Sequence, residues 1–174
     1  MPRLILFRHA KTERAGPGEA DLDRDLTERG HKDAAAMGAY LASHRLLPSH
    51  VLVSPARRTQ QTWEILSRHL TPAPHAATDQ RIYEASPERL FRIVETAAPA
   101  AAALMIIGHN PGLHELALAL TATGDIDARA RLREKLPTSA LVVIDFAFKT
   151  WRDLHPQSGR LERFISPQSL AAEG

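Results

Sequence analysis

The sequence predicts an α/β fold: a three-layer α/β/α sandwich around a mostly parallel central sheet with an antiparallel edge. Two observations carry this. The short apolar runs Leu4-Ile5-Leu6-Phe7, Val51-Leu52-Val53 and Leu104-Met105-Ile106-Ile107 read as strands buried on both faces, and a helix-period segment follows each. Near the C-terminus, Ala140–Phe146 and Gly159–Ile165 read as two strands with no helix between them, which gives the antiparallel edge. A third observation points to function. Each of the first three runs delivers polar residues at its carboxyl end: Arg8-His9, then Ser54-Pro55-Ala56-Arg57-Arg58, then Gly108-His109-Asn110. Open α/β sheets bind ligands at the carboxyl ends of their strands, so parallel neighbours would bring these side chains into one crevice.

The elements follow in order. After the strand of Leu4–Phe7, Thr12–Asp25 is polar, contains Gly16-Pro17-Gly18 and reads as a loop. Thr27 is placed to cap a helix whose apolar positions Ala34, Met37 and Leu41 recur at helical spacing until about Arg45. Val51–Val53 leads to a second helix, with Ser54 and Pro55 in the cap-then-proline positions. Its apolar side is Trp63, Leu66 and Leu70, and Thr71-Pro72 stops it. A weak strand covers His75–Thr78. Ser86-Pro87-Glu88 repeats the cap-then-proline start ahead of Leu90, Phe91 and Val94. The strand Leu104–Ile107 leads into a helix from Asn110-Pro111 through Leu120. Thr121–Asp127 reads as a turn region, 128–136 as charged helix or loop, and 166–174 as a loose tail.

Composition bounds the alternatives. With 174 residues and 44% hydrophobic content, the chain fits one domain over residues 1–174 with a full core. There is no internal repeat and no linker. The absence of cysteine excludes disulfides and thiolate metal sites. The 22 basic and 20 acidic residues leave a net charge of only +2, without the basic patch that nucleic-acid binding needs. No apolar stretch is long enough to span a membrane, and Met1-Pro2-Arg3 passes straight into a strand without the layout of a signal peptide. A cytoplasmic protein is expected.

Arginine and histidine at strand ends suit phosphoryl chemistry. A guanidinium makes bidentate bonds to phosphate, so Arg8 and Arg58 are natural clamps. The two expected helix starts at Ser54-Pro55 and Asn110-Pro111 would aim free N–H groups at the same anion. An imidazole can act as a covalent nucleophile if unprotonated, and neighbouring arginines favour that state. A carboxylic acid, Glu84, could protonate the leaving group and later activate water. Arginine and histidine supply the charge, so neither a metal nor a cofactor is required. The remaining histidines show no metal-ligand spacing. Trp63 and Trp151 read as core or interface residues.

Together these residues resemble the histidine phosphatase superfamily, with its phosphoglycerate-mutase-like fold. The resemblance rests on Arg8-His9 after a strand, on Ser54 followed by Arg58, Gln61 and Thr62, and on Gly108-His109-Asn110, and it spans about residues 3–120. It implies that His9 is the phosphorylated nucleophile and that Arg8, Arg58 and His109 form the phosphate pocket. Glu84 falls where the family often keeps its acid.

Two departures matter. Ala10 stands where the first motif usually has glycine. The interval from Arg58 to Glu84 leaves room for one helix and a short strand, with no lid. An open site is similar to the small SixA-type phosphohistidine phosphatases, whose Pro-Thr-Ser-Ala before a strand resembles Pro137-Thr138-Ser139-Ala140. The expected function is therefore a metal-independent phosphatase acting on phosphohistidine in proteins. The alternatives are a phosphomonoesterase on small phosphoesters and a phosphate-binding module without catalysis. The expected partner is a phosphorylated protein or small phosphoester. The sequence leaves the oligomeric state open.

Overall fold

The computed structural model describes residues 1–173. The chain runs β1 (Arg3–Arg8), α1 (Glu28–Ser43), β2 (His50–Val53), α2 (Arg57–Ser67), β3 (His75–Thr78) and α3 (Pro87–Glu95). It continues through β4 (Ala103–Gly108), α4 (Gly112–Leu120), β5 (Thr121–Gly124), α5 (Ile126–Glu134), β6 (Leu141–Phe146), β7 (Gly159–Ile165) and α6 (Pro167–Glu173). The strands form one sheet in the order β3-β2-β4-β1-β6-β7-β5. Strands β3, β2, β4 and β1 are mutually parallel, β7 and β5 are parallel to each other, and β6 is antiparallel to both β1 and β7.

Strand periodicity sorts the layers. Leu4 and Leu6 of β1 face one apolar cluster with α3, α4 and α5, while Ile5 and Phe7 face the other with Met37 and Leu41 of α1 and Leu66 of α2. Successive strand residues point to opposite faces, so two helical layers on one sheet account for runs that are apolar at every position. Thr27 caps α1 as expected, its hydroxyl accepting from Gly30 N at 2.9 Å, and Ser86 caps α3 by accepting from Arg89 N. Trp151 is a core residue whose indole N–H donates to Ala101 O at 2.8 Å.

Several expectations need correction. The expected antiparallel pair of β6 and β7 is present at one side of the sheet, with the unexpected β5 added outside β7. The turn expected over Thr121–Asp127 is in part that strand. Thr-Ala-Thr-Gly carries no apolar alternation, and its pairing partner is β7, far along the chain. Helix α5 starts at Ile126 because the Asp125 carboxylate accepts from Ala128 N at 2.9 Å. Most of the expected loose tail is α6. Ser166 and Ser169 bond to each other's backbone N–H, and Leu170 packs on the α1–α2 side of the sheet. Gly174 lies outside the described residues. Among the described residues, no helix is long and apolar enough to cross a membrane.

Candidate active site

Register brings the three polar strand ends to one level. Arg8 of β1 pairs with Gly108 of β4, and Val53 of β2 pairs with Ile107. One residue further on, His9 N donates to Gly108 O and Ser54 N donates to Ile107 O, each at 3.1 Å. The rings of His9 and His109 therefore lie with centroids 5.3 Å apart. Ser139 adds a brace from the start of β6. It holds a left-handed conformation (φ 60°), and its N–H is shared between the carbonyls of Arg8 and His9.

His9 is 8% exposed. Its Nδ1 lies 2.8 Å from Ala10 O. A carbonyl can only accept, so the proton sits on Nδ1 and the lone pair is on Nε2. Burial pushes the His9 pKa down to about 3; the Ala10 carbonyl opposes this, and the charges of His109, Arg8 and Arg58 reinforce it. The imidazole is neutral at neutral pH, the state a nucleophile needs.

His109 is tied to Ser54, with Nε2 2.7 Å from Ser54 Oγ. Burial, and then the Arg58 charge, push its pKa down to about 4. Ser54 was expected to cap α2, but that helix starts at Arg57 behind Ala56. Ser54 continues the β2 pairing by one residue, is fully buried, and turns its hydroxyl to His109. Helix α4 likewise begins at Gly112, with Pro111 at its N-cap. A Cβ at Gly112 would collide with the Ala85 carbonyl, so glycine lets the α4 start lie against the Glu84–Ala85 segment. Asn110 turns away and donates from Nδ2 to Leu136 O.

The two arginines approach from different elements. Arg8 donates from Nη1 to Leu136 O at 3.0 Å, and burial lowers its pKa. Arg58, in the first turn of α2, is 6% exposed. It donates to Asp21 O at 2.8 Å and to Asp21 Oδ2 at 3.1 Å. Thr62 anchors this arrangement, its hydroxyl accepting from Ala10 N and donating to Arg58 O. Gln61 Oε1 accepts from Leu26 N, fastening the end of the loop that carries Asp21.

That loop is a strap over the site. A short bridge between Thr12 and Leu26 closes it, and Asp21–Asp23 form one 3-10 turn. Besides Arg58, the Asp21 carboxylate accepts from Tyr83 OH and Arg24 Nη1. The Tyr83 bond is the leading cause that holds the Asp21 pKa far below the usual carboxylate range. In return the Tyr83 phenol is pushed up to about 12. Sequence reasoning missed Asp21, Arg24, Tyr83 and the role of Ser54. The only available signal was the position of the Gly16-Pro17-Gly18 loop directly after the Arg-His pair.

Arg8, His9, Arg58 and His109 thus come together. Glu84 stands at the mouth, exposed and in a left-handed conformation (φ 55°), lining a cavity of about 400 Å³ with His109, Asn110 and Pro111. Between Arg58 and Glu84 the chain forms the rest of α2, then β3 and a 3-10 turn over Gln80–Ile82. No separate lid is built there.

Comparison with known proteins agrees with this geometry. Residues 4–88 match the model of the histidine phosphatase superfamily, branch 1. An uncharacterised protein of Mycobacterium leprae is 33% identical over 93% of this chain and 100% of its own length. A structure from Agrobacterium tumefaciens, assigned as the phosphohistidine phosphatase SixA, superposes with a TM-score of 0.80 at 29% identity, covering 96% of this chain and 99% of that one. A SixA structure complexed with tungstate shares the fold, with a TM-score of 0.75 at 20% identity over 97% and 99% of the two chains. The chain belongs to the histidine phosphatase superfamily, in its SixA-like group. Its class is that of the phosphatase hydrolases.

Proposed function

We propose that this phosphatase works without a metal, through a phosphohistidine formed on His9, and acts on phosphohistidine in proteins. One observation carries the reading. Among the described residues, Arg8 Nε, Arg58 Nε and His109 Nδ1 are buried donors with no partner, as are the nearby Ser139 hydroxyl and the Asn110 Oδ1 acceptor. Each such group costs about 1–3 kcal/mol if left unmatched. A phosphoryl group offers three equatorial oxygens, and three unpartnered donors in one site suit it. Ser54 fits the same account: a hydroxyl donating to His109 Nε2 keeps the ring proton on Nδ1, the nitrogen that lacks a partner.

The chemistry follows from the tautomer. His9 Nε2 attacks phosphorus in line as the bond to the leaving nitrogen or oxygen breaks. Positive charge grows on the ring and is met by Nδ1–H donating to the Ala10 carbonyl. Arg8, Arg58 and His109 hold the transferring oxygens. Glu84 supplies the proton to the leaving group. As a carboxylate it then takes one from water, which attacks phospho-His9 and releases phosphate with His9 restored. Two guanidiniums supply the charge that other phosphoryl-transfer sites draw from a metal.

The open mouth favours a phosphorylated side chain on a protein, and the likeness to the Agrobacterium phosphohistidine phosphatase SixA supports the same reading. A histidine-phosphorylated protein, incubated with chelator present, should release phosphate with the wild type and not with His9→Ala. A requirement for added metal, or retained turnover in the variant, would overturn the reading. Faster turnover of small phosphoesters than of any phosphoprotein would move it to the phosphomonoesterase alternative. Phosphate binding without any turnover would move it to a silent binding module.

A further inference from the structure

We propose that the groove between α3 and α4 is the docking site for the substrate chain beside the phosphorylated residue, and that it selects an apolar side chain accompanied by a basic one. The inference rests on the protein-phosphohistidine reading above. A cavity of about 610 Å³ lies between the two helices, with Phe91, Leu116, Ala119, Pro87 and Pro156 as its apolar lining. It adjoins the mouth of the site: Pro87 and Glu115 line both this cavity and the one that contains His109 and Glu84. A ligand whose phosphoryl group reaches the crevice has its next residues over this floor.

Charge indicates the occupant. The chain as a whole is slightly basic, yet the path from the mouth to the groove carries Glu84, Glu88 and Glu115 against Arg92 alone. Among the described residues none of these three carboxylates joins an ion pair. The acids on the other side of the site differ, since Asp21, Asp23 and Asp25 are each paired with an arginine. Unpaired carboxylates beside an apolar floor favour a basic, apolar-bearing segment and disfavour an anionic metabolite. Length sets the spacing. From Gly112 to Ala119 is seven residue steps, about 10 Å along the helix axis, or roughly three residues of an extended chain at about 3.3 Å each.

The test uses two histidine-phosphorylated peptides and free phosphohistidine, which has no neighbouring residues to lay in the groove. One peptide carries Lys next to the phosphohistidine and Leu three residues away; the other has Ser at both places. The wild type should prefer the first by about tenfold in kcat/KM, mainly through KM, as expected for one buried apolar side chain. Ala119→Arg places a good helix former at an exposed position. It should abolish the preference and leave turnover of free phosphohistidine unchanged, which also shows that the variant folds. Glu115→Lys should turn the preference against the Lys peptide.

Equal wild-type turnover of both peptides, or an undiminished preference in Ala119→Arg, overturns the groove while the phosphohistidine reading stands. No turnover of any phosphohistidine substrate overturns both. A change of sedimentation in Ala119→Arg with the preference intact assigns the groove to a second copy of the chain, and so overturns the proposal.

Discussion

The floor of the site and the strap above it are built on opposite plans. The floor is made at the ends of β1, β2 and β4 and the first turn of α2, with His9, Ser54 and Arg58 buried and Arg8 and His109 half-buried, and its two imidazoles are held neutral. Arg8 Nε, Arg58 Nε and His109 Nδ1 in it have no partner among the described residues. The strap is an exposed loop in which the Asp21 carboxylate meets Arg58, Arg24 and Tyr83 at once. The difference teaches where binding and restraint come from. The floor offers preorganised donors that a phosphoryl group satisfies, whereas the strap already holds the outer edge of Arg58 with a carboxylate that a phosphate must share or displace.

Substitutions in the two regions should therefore differ in sign as well as size. Replacing the floor nucleophile, His9→Ala, should lower kcat by about a thousandfold or more. Arg58→Ala should lower kcat/KM by about 10²–10³-fold, since it removes a buried charged donor aimed at the transferring oxygens. Ser54→Ala should lower kcat by about tenfold by freeing the tautomer of His109, visible as altered ring-nitrogen shifts in NMR spectra. A strap change should act the other way. Asp21→Asn removes the competing charge and should tighten inhibition by tungstate by about threefold to tenfold. Weaker inhibition in that variant would make the strap part of the phosphate site and erase the contrast.

The smallest effect on rate is expected from pH. With His9 near 3 and His109 near 4, neither ring protonates in the folded protein above about pH 5. Enzyme imidazoles should then change kcat/KM by less than about twofold between pH 5.5 and 7.5. Stability responds instead. Both folded pKa values lie below the unfolded value of about 6.5, so the unfolded chain binds more protons on acidification. Thermal stability should fall from about pH 6.5 towards pH 3–4. An NMR titration showing either ring protonating near pH 6.5 would break the account of the floor.

The same contrast explains what the sequence disclosed. The floor was legible because Arg8, His9, Ser54 and His109 stand at or just past the ends of short apolar runs, with Arg58 in the first turn of the helix after the second, and parallel pairing converts those strand ends into one place. The strap was not. Asp21 reaches Arg58 37 positions away and Tyr83 62 positions away, and no local pattern encodes such a meeting. Ser54 shows an intermediate case: Ser-Pro reads as a helix cap, and only the extra sheet bond to Ile107 O reveals that its hydroxyl is free for His109. Strand β5 escaped because backbone pairing with β7 makes it a strand, not its side chains.

The central claim is that the phosphoryl group passes through His9. The most direct measurement is to trap it with a labelled phosphoramidate, quenching the wild type and His9→Ala with chelator present throughout. The account predicts an acid-labile, base-stable label on the wild type, located at residue 9 and absent from the variant. An acid-stable label, or one that persists in His9→Ala, would contradict it.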